Sequence, residues 1–473
     1  MSYATATQAL YDAMPIPLQE VFVSAAGWIS FRKRFGQAFQ TAFTELQRTD
    51  LHSADQVRED QDRRLREAIR SATTTVPHYR DLFRREGIDP ASIQSVEDLP
   101  RIPMLSKGEV QDNPESLRSL SYSNRKLISV QTSGTTGTPL QLVHDPEAFG
   151  WEYAVNLRQR GWFGIGLGER FAAFGGQLIV PLDQKKPPYW RHDRPGNRTL
   201  FSLYHMSPDT LRDYALELHR PVYRFWQGYP SSIGLVCQHL EDVGVELGNA
   251  EPEAVFTSSE TLLDFHRETI ERVTSATVAD RYGNAEFCVS ALQCAKGQYH
   301  IDTEFCVIEI DPHEETEEWV RGEVIATGLT NRAMPFIRYR TGDVATLHKK
   351  KQCTCGRNRP LLEQIDGRIE DYIVTPDGRR IGRLDHILKE ASGIREAQIV
   401  QNAVNHLTVR LVPNGKFDAK SQSKLDGAFR SRLGKAMQID YEENEFIDRE
   451  PNGKFRAVVS ELDAPNRSNQ GSN

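Results

Sequence analysis

Several short segments of this 473-residue chain combine residue types that could handle a nucleotide. In Thr132-Ser133-Gly134-Thr135-Thr136-Gly137-Thr138-Pro139, two glycines let backbone N–H groups converge and the hydroxyls add donors, which suits phosphate oxygens. The string lacks the GxxxxGK[ST] order of a P-loop, and alone it could be a mere flexible turn. Asp280-Arg281-Tyr282-Gly283-Asn284-Ala285-Glu286 sets an aromatic ring, able to cover a base, ahead of a carboxylate able to hold a metal ion. Arg338-Tyr339-Arg340-Thr341-Gly342-Asp343 places an acid on a tight turn, suited to accept bonds from two ribose hydroxyls. Gly367-Arg368-Ile369-Glu370-Asp371 lies at a composition break, and Pro451-Asn452-Gly453-Lys454 carries a lysine on a turn. Each is common turn chemistry when taken singly. Their order and spacing together are specific.

A second constellation is Cys294-x5-His300 with Cys353-x-Cys355. Three thiolates and one imidazole complete a tetrahedral zinc site with no open position, hence a structural one. The alternative is a set of isolated reduced cysteines and a surface histidine, although Cys353-Thr354-Cys355-Gly356 is too polar and turn-like for buried apolar cysteines. Trp226, Tyr229 and Phe174 could line an acid pocket or simply fill the core. The Glu314-Glu315-Thr316-Glu317-Glu318 run reads as a solvated turn, as does Lys349-Lys350-Lys351.

The elements that must position these groups are legible in outline. Helical spacing of Leu65, Ala68, Ile69 and Ala72 predicts a helix from about Asp55 to Gly87, interrupted at Pro77, within a helical N-terminal segment of about 1–115. Prolines from Pro90 to Pro114 predict an irregular wrap. Beyond Leu127, short apolar runs (Leu127–Val130, Arg170–Phe174, Ala254–Thr257, Thr277–Asp280) alternate with helical patterns (Asp209–Leu218, Ser231–Gly244, Leu263–Thr274). That alternation predicts an α/β core with a largely parallel sheet. Closely spaced strands predict a β-rich subdomain at about 299–365. The large domain is then 1–366, and a small, mobile α+β domain of 367–463 carries Lys454 ahead of a disordered tail at 464–473.

Bulk properties narrow the class. Lys and Arg total 58 against 65 Asp and Glu, a net charge of −7, which argues against nucleic acid as partner. No stretch reaches the roughly eighteen apolar residues of a spanning helix, so membrane insertion is not expected. Six cysteines in so long a chain do not form a disulfide scaffold, and a reducing cytoplasm is the expected compartment.

With these motifs in order, the chain resembles the adenylate-forming superfamily of acyl-CoA synthetases, peptide-synthetase adenylation domains and luciferases. Within it, the phenylacetate–CoA ligase branch and its capsular-polysaccharide-cluster relatives are most similar, through Val76-Pro77-His78-Tyr79-Arg80, Pro103-Met104-Leu105-Ser106-Lys107, Gly228-Tyr229-Pro230-Ser231-Ser232 and Thr375-Pro376-Asp377-Gly378-Arg379. The resemblance spans residues of about 60 to 460. It implies that Ser133, Gly134, Thr135, Thr136 and Gly137 hold the ATP phosphates. Ser259 and Glu260 border the adenine, Tyr282 stacks on it beside Gly283 and Asn284, and Glu286 coordinates Mg²⁺. Asp343 binds the ribose, Arg368 approaches ribose or phosphates, Glu370 is the hinge, and Lys454 binds the carboxylate and α-phosphate. His205 falls where relatives place a substrate-proximal histidine, but a lone loop histidine is as readily a solvated one. Thr138 stands where many relatives have lysine, Ala285 where threonine is common, and Glu370 where aspartate is usual.

The expected function is ATP-dependent activation of a small carboxylic acid, then acyl transfer to a thiol, either CoA or a carrier-protein pantetheine. Alternatives are an amine acceptor, a reductase partner, or a nucleotide-binding homologue without catalysis.

Overall fold

A computed structural model describes residues 3–122, 127–131, 140–368, 373–377, 380–381, 394–413, 417–434, 436–450 and 453–462, with side chains at all of these except 3–7, 368, 380, 381 and 432. Ser133, Gly134, Thr135, Thr136, Gly137, Glu370 and the expected tail lie outside the described residues.

The chain opens with helices α1 (Tyr3–Asp12), α2 (Ile16–Arg34), α3 (Gln37–Thr49), α4 (Ala54–Thr75) and α5 (Pro77–Arg85). In α4 a capping box between Ser53 and Gln56 satisfies the first free N–H groups, and Val57, Leu65, Ala68, Ile69 and Ala72 form the buried stripe. Pro77 starts a new helix at its first position, so the break expected there is a helix-to-helix corner. Tyr79 is buried and clamps that corner to the other end of the large domain. Its hydroxyl donates to Pro335 O at 3.0 Å and accepts from Ile337 N at 3.0 Å. The proline-rich wrap that follows contains the short helix α6 (Lys107–Asp112), capped by Ser106. Just before it Leu105 exchanges two backbone hydrogen bonds with Arg338 and Arg340, each 2.9 Å. Thus the Met104-Leu105-Ser106 motif acts as a one-residue strand beside the Asp343 turn.

Strands β1 (Ile128–Gln131) and β2 (Gln141–His144) form an antiparallel ribbon of their own on either side of residues 132–139. Helix α7 (Pro146–Gly161) leads into the main sheet: β3 (Phe171–Phe174), β4 (Trp190–Asp193), β5 (Arg198–Phe201), α8 (Leu211–Leu218), β6 (Phe225–Gly228), α9 (Pro230–Asp242), β7 (Ala254–Ser258), α10 (Asp264–Thr274) and β8 (Thr277–Gly283). There follow β9 (Ser290–Gln293), β10 (Tyr299–Ile301), β11 (Cys306–Glu315), β12 (Trp319–Gly328), β13 (Tyr339–His348) and β14 (Leu361–Arg368). The sheet has twelve strands in the order β11-β12-β13-β14-β10-β9-β8-β7-β6-β3-β5-β4. Strands β5, β3, β6, β7 and β8 run parallel, as alternation predicts, and the rest pair antiparallel. The β-rich part is therefore the antiparallel half of one continuous sheet. One core lies between that half and the N-terminal helices, and a second between the parallel strands and α8–α10.

The small domain is α+β. It consists of β15 (Ile373–Val374), β16 (Arg380–Ile381), β17 (Ile394–Ala403), β18 (His406–Pro413), α11 (Ala419–Leu433), β19 (Gln438–Glu443) and β20 (Val458–Ser460). Four strands in the order β19-β18-β17-β20 carry Phe429 and Leu425 of α11 against Ile399, Leu407 and Val409. The ladder with β13 carries β14 past Asp366 and through Arg368, so the first two residues assigned to the small domain belong to the large sheet.

Candidate active site

In an open parallel sheet, ligands bind at the carboxyl ends of the strands. Those ends here carry Phe174 (β3), Gly228 and Tyr229 (β6), Ser258 and Ser259 (β7) and Tyr282 and Gly283 (β8). They open onto a cavity of about 320 Å³ lined by, among others, Phe174, Gln227, Gly228, Tyr229, Ser258 and Ser259. Gly228 has φ of 156°, and a Cβ there would stand 2.0 Å from Phe174 O, so only glycine lets β6 turn out so close to β3. Ser259 also has positive φ, 73°, and is exposed at the rim.

On the neighbouring strand the Tyr282 hydroxyl donates to Asp343 Oδ2 at 2.7 Å. Burial, then the nearby Asp343 carboxylate, pushes that phenol well above its ordinary range, so it stays a proton donor. Asp343 follows Gly342 (φ 74°), which makes the tight turn, and its N–H is held by Thr341 Oγ1 at 3.1 Å. Asp343 sits directly across the ladder from Arg368. Residues 61 apart in sequence are thus one hydrogen bond apart at the site. Tyr339 donates to Glu286 Oε1 at 3.4 Å, orienting the expected Mg²⁺ ligand. Asn284 has a structural task as well: its Oδ1 accepts the N–H groups of Cys288 (3.2 Å) and Val289 (3.3 Å), fixing the loop that carries Glu286.

Lys454 arrives from the small domain with its Nζ 5.8 Å from the centre of the Tyr229 ring. The next residue secures it, since Phe455 N donates to Glu260 Oε1 at 2.6 Å while Glu260 Oε2 accepts Ser231 N at 3.3 Å. Burial pushes the Glu260 carboxyl up to about 6, against the pull of Phe455 N–H, Ser231 and the charge of Arg449. An ion pair between Arg395 and Asp242 (2.8 Å) ties the domains at a second point.

Two expected pocket residues stand elsewhere. Trp226 is fully buried in the core against Phe174, because its β6 position faces the helices. His205 is held in its own loop, with Nδ1 2.8 Å from Ser202 Oγ and Nε2 3.0 Å from Pro181 O, and neither residue lines the cavity. Residues that sequence reasoning passed over do line it: Arg160 and Glu152 of α7, Gln227 of β6, and Gly27, Phe31 and Arg34 of α2. A signal for α2 was available in Gly27, whose missing side chain lets the helix pack onto Asp193 of the edge strand β4.

The Cys/His cluster comes together. Cys294 Sγ is 3.7 Å from Cys353 Sγ, Cys355 Sγ is 3.3 Å from His300 Nε2, and all four donor atoms lie within 4.8 Å of one another. A tetrahedral zinc with bonds of about 2.3 Å to sulfur and 2.0 Å to nitrogen puts its ligands roughly 3.5–3.8 Å apart, so the donor set fits. Gly356, at φ 86°, turns the second pair, and Lys296 N donates to Cys294 Sγ at 3.4 Å. The four ligands join the β9–β10 turn to the β13–β14 connection.

Comparison with known proteins follows the same lines. The fold is that of the adenylate-forming enzymes: a crystal structure of 2-hydroxyisobutyryl-CoA ligase superposes with a TM-score of 0.71 over 87% of this chain and 91% of that one, at 19% identity. A family model described as the CapK C-terminal domain matches residues 373–461. Protein CapK of Staphylococcus aureus is 24% identical over 96% of this chain and 99% of its own length. The phenylacetate-coenzyme A ligase of Aromatoleum evansii is 24% identical over 70% of this chain and 74% of its own. The chain is thus a homologue of CapK and of the phenylacetate–CoA ligases by sequence, with the fold of an acyl-CoA ligase.

Proposed function

We propose that the protein is an AMP-forming acid ligase that converts ATP and a carboxylic acid into an acyl-adenylate and pyrophosphate, then passes the acyl group to the thiol of CoA. The observation that carries this reading is the seating of Lys454 over Tyr229, a residue that lines the cavity, on the same sheet whose strand β8 carries the Tyr282–Asp343 pair. In the first half-reaction a carboxylate oxygen attacks the α-phosphorus, and the bond from that phosphorus to the bridging oxygen breaks as pyrophosphate leaves. Two anions must approach, so a cation fixed at the point of attack lowers the barrier more than it favours the separated reactants. Lys454 is that cation. Asp343, oriented by Tyr282, accepts the ribose hydroxyls, and Glu286, oriented by Tyr339, would hold Mg²⁺, which supplies charge neutralisation at the phosphates. Thr138 offers no cation where many relatives have lysine, which places more of the electrostatic load on Lys454.

In the second half-reaction the thiol sulfur attacks the acyl carbon, the acyl–oxygen bond to AMP breaks, and the thiol proton passes to solvent. CoA is the acceptor favoured by the names of the relatives; a carrier-protein thiol, an amine or a reductase has no comparable support. Zinc at Cys294, His300, Cys353 and Cys355 has a structural part in this reading, because four protein ligands leave no position for substrate. Acid-dependent exchange of labelled pyrophosphate into ATP tests the first step. Lys454→Ala should lower exchange by about 100-fold or more, the scale of one lost preorganised charge contact. Exchange that survives this substitution intact rules the assignment out.

A further inference from the structure

The cavity wall carries more positive charge than its described residues balance. Three of its carboxylates are already matched: Glu152 with Arg281 at 2.6 Å, Asp193 with Arg198 at 2.8 Å, and Glu169 with Arg224. Arg160 is not. It lies in the last turn of α7, its guanidinium 5.2 Å from the ring centre of Phe171 and 4.7 Å from that of Phe225. Its side chain donates instead to the neutral Gln227 Oε1. Among the described residues no carboxylate lies within 4.0 Å of it. Burial, reinforced by the charge of Arg198, pushes the guanidinium down to about 10, still fully protonated at neutral pH. The ring faces attract the cation, but they do not replace the water it has given up, so an anion entering the cavity finds there a partly desolvated charge to pair with.

The position of Arg160 says where that anion would sit. Gln227, which it grips, lies on β6 two residues before Tyr229, and both Gln227 and Tyr229 line the cavity. Tyr229 also faces Lys454. A molecule with its reacting carboxylate at Lys454 can therefore extend along the cavity with its other end toward Arg160.

We propose that the acid this protein activates is dianionic: a short chain or ring whose second oxyanion, a carboxylate, sulfonate or phosphate, pairs with Arg160. This rests on the acid-activating reading above. Arg160 sets specificity, and Gln227 holds its guanidinium beside the two phenylalanines in the cavity wall. A monocarboxylate of equal length fills the same space and leaves the guanidinium unpaired.

The test is acid-dependent pyrophosphate exchange with matched probes: butyrate and succinate, valerate and glutarate, hexanoate and adipate, benzoate and isophthalate. The wild-type protein should favour the diacid in at least one pair by about 10- to 100-fold in kcat/KM, the range of a charge-assisted pair in a desolvated site. Arg160→Gln should collapse that ratio toward one through KM for the acid, while Arg160→Lys keeps part of it. Wild-type preference for the monoacid in every pair overturns the proposal without any variant. So does an Arg160→Gln change that falls equally on both members of a pair or on KM for ATP, since Arg160 would then serve the nucleotide or the fold. Those results leave acid activation standing. Absence of exchange with all eight acids instead removes the adenylation reading, and this inference with it.

Discussion

Replacing Glu260 by Gln should uncouple the seating of the small domain from pH. The carboxylate stands where the two domains meet, taking the Phe455 N–H on one oxygen (2.6 Å) and the Ser231 N–H on the other (3.3 Å). Tyr229 and Arg449 are its charged or titratable neighbours, one on each domain, and burial outweighs the three lowering influences to leave its pKa at about 6 rather than 4.5. Withdrawal of the small domain returns water to this carboxyl and lets its pKa fall toward the ordinary value. The seated state thus holds the proton more tightly than the withdrawn one. By linkage, this contribution to seating is full below pH 4.5 and is lost as pH rises through about 6. A shift of that size corresponds to about 2 kcal/mol at most, a factor of up to roughly thirty in the seated-to-withdrawn ratio, and less in so far as the large domain supplies the burial. Glutamine keeps an oxygen for Phe455 and cannot titrate in this range. Energy transfer between dyes at exposed Leu216 in the large domain and Val404 in the small one reports seating. Wild type should lose transfer between pH 4.5 and 7, and Glu260→Gln should give a flat profile. An identical pH profile in the two proteins refutes the reasoning.

The remaining predictions concern stability and metal. Purified protein should contain one zinc per chain, and a Cys353→Ser/Cys355→Ser double variant should lose it together with several degrees of Tm; elemental analysis that finds no zinc in either removes the site. Phe429 is fully buried in the small domain, so Phe429→Ala should cost about 3–5 kcal/mol. Calorimetry should show that loss as an earlier separate transition for the small domain, with the large-domain transition unmoved; one common shift of both would mean that the domains unfold as a unit.

Much of the parallel half of the molecule could be read from periodicity, because each strand–helix pair from β3 to β8 buries its apolar positions in its own neighbourhood. Pairings set across long stretches of chain could not. Leu127–Val130 reads as a strand, yet nothing local says that β1 pairs only with β2 outside the main sheet. The contact of Tyr79 with Pro335, and that of Leu105 with β13, likewise depend on residues more than two hundred positions away. For the site, Tyr282, Glu286, Asp343 and Lys454 stood out only together, because the order and spacing of their short motifs are specific where each motif singly is common turn chemistry. Arg160 did not stand out, since an arginine in the last turn of a helix is what the helix dipole favours anyway. Only the crossing of α7 over Phe171 and Phe225 turns it toward a cavity.

The run of β14 through Arg368 has a mechanical meaning. Its ladder with β13 fixes the chain as far as the residue opposite Asp343, so any swing of the small domain must pivot beyond that point. The fulcrum therefore stands beside Asp343, while the far arm of the lever carries Lys454. A lever mounted in this way can lift the lysine away from Tyr229 while the Tyr282–Asp343 pair stays still.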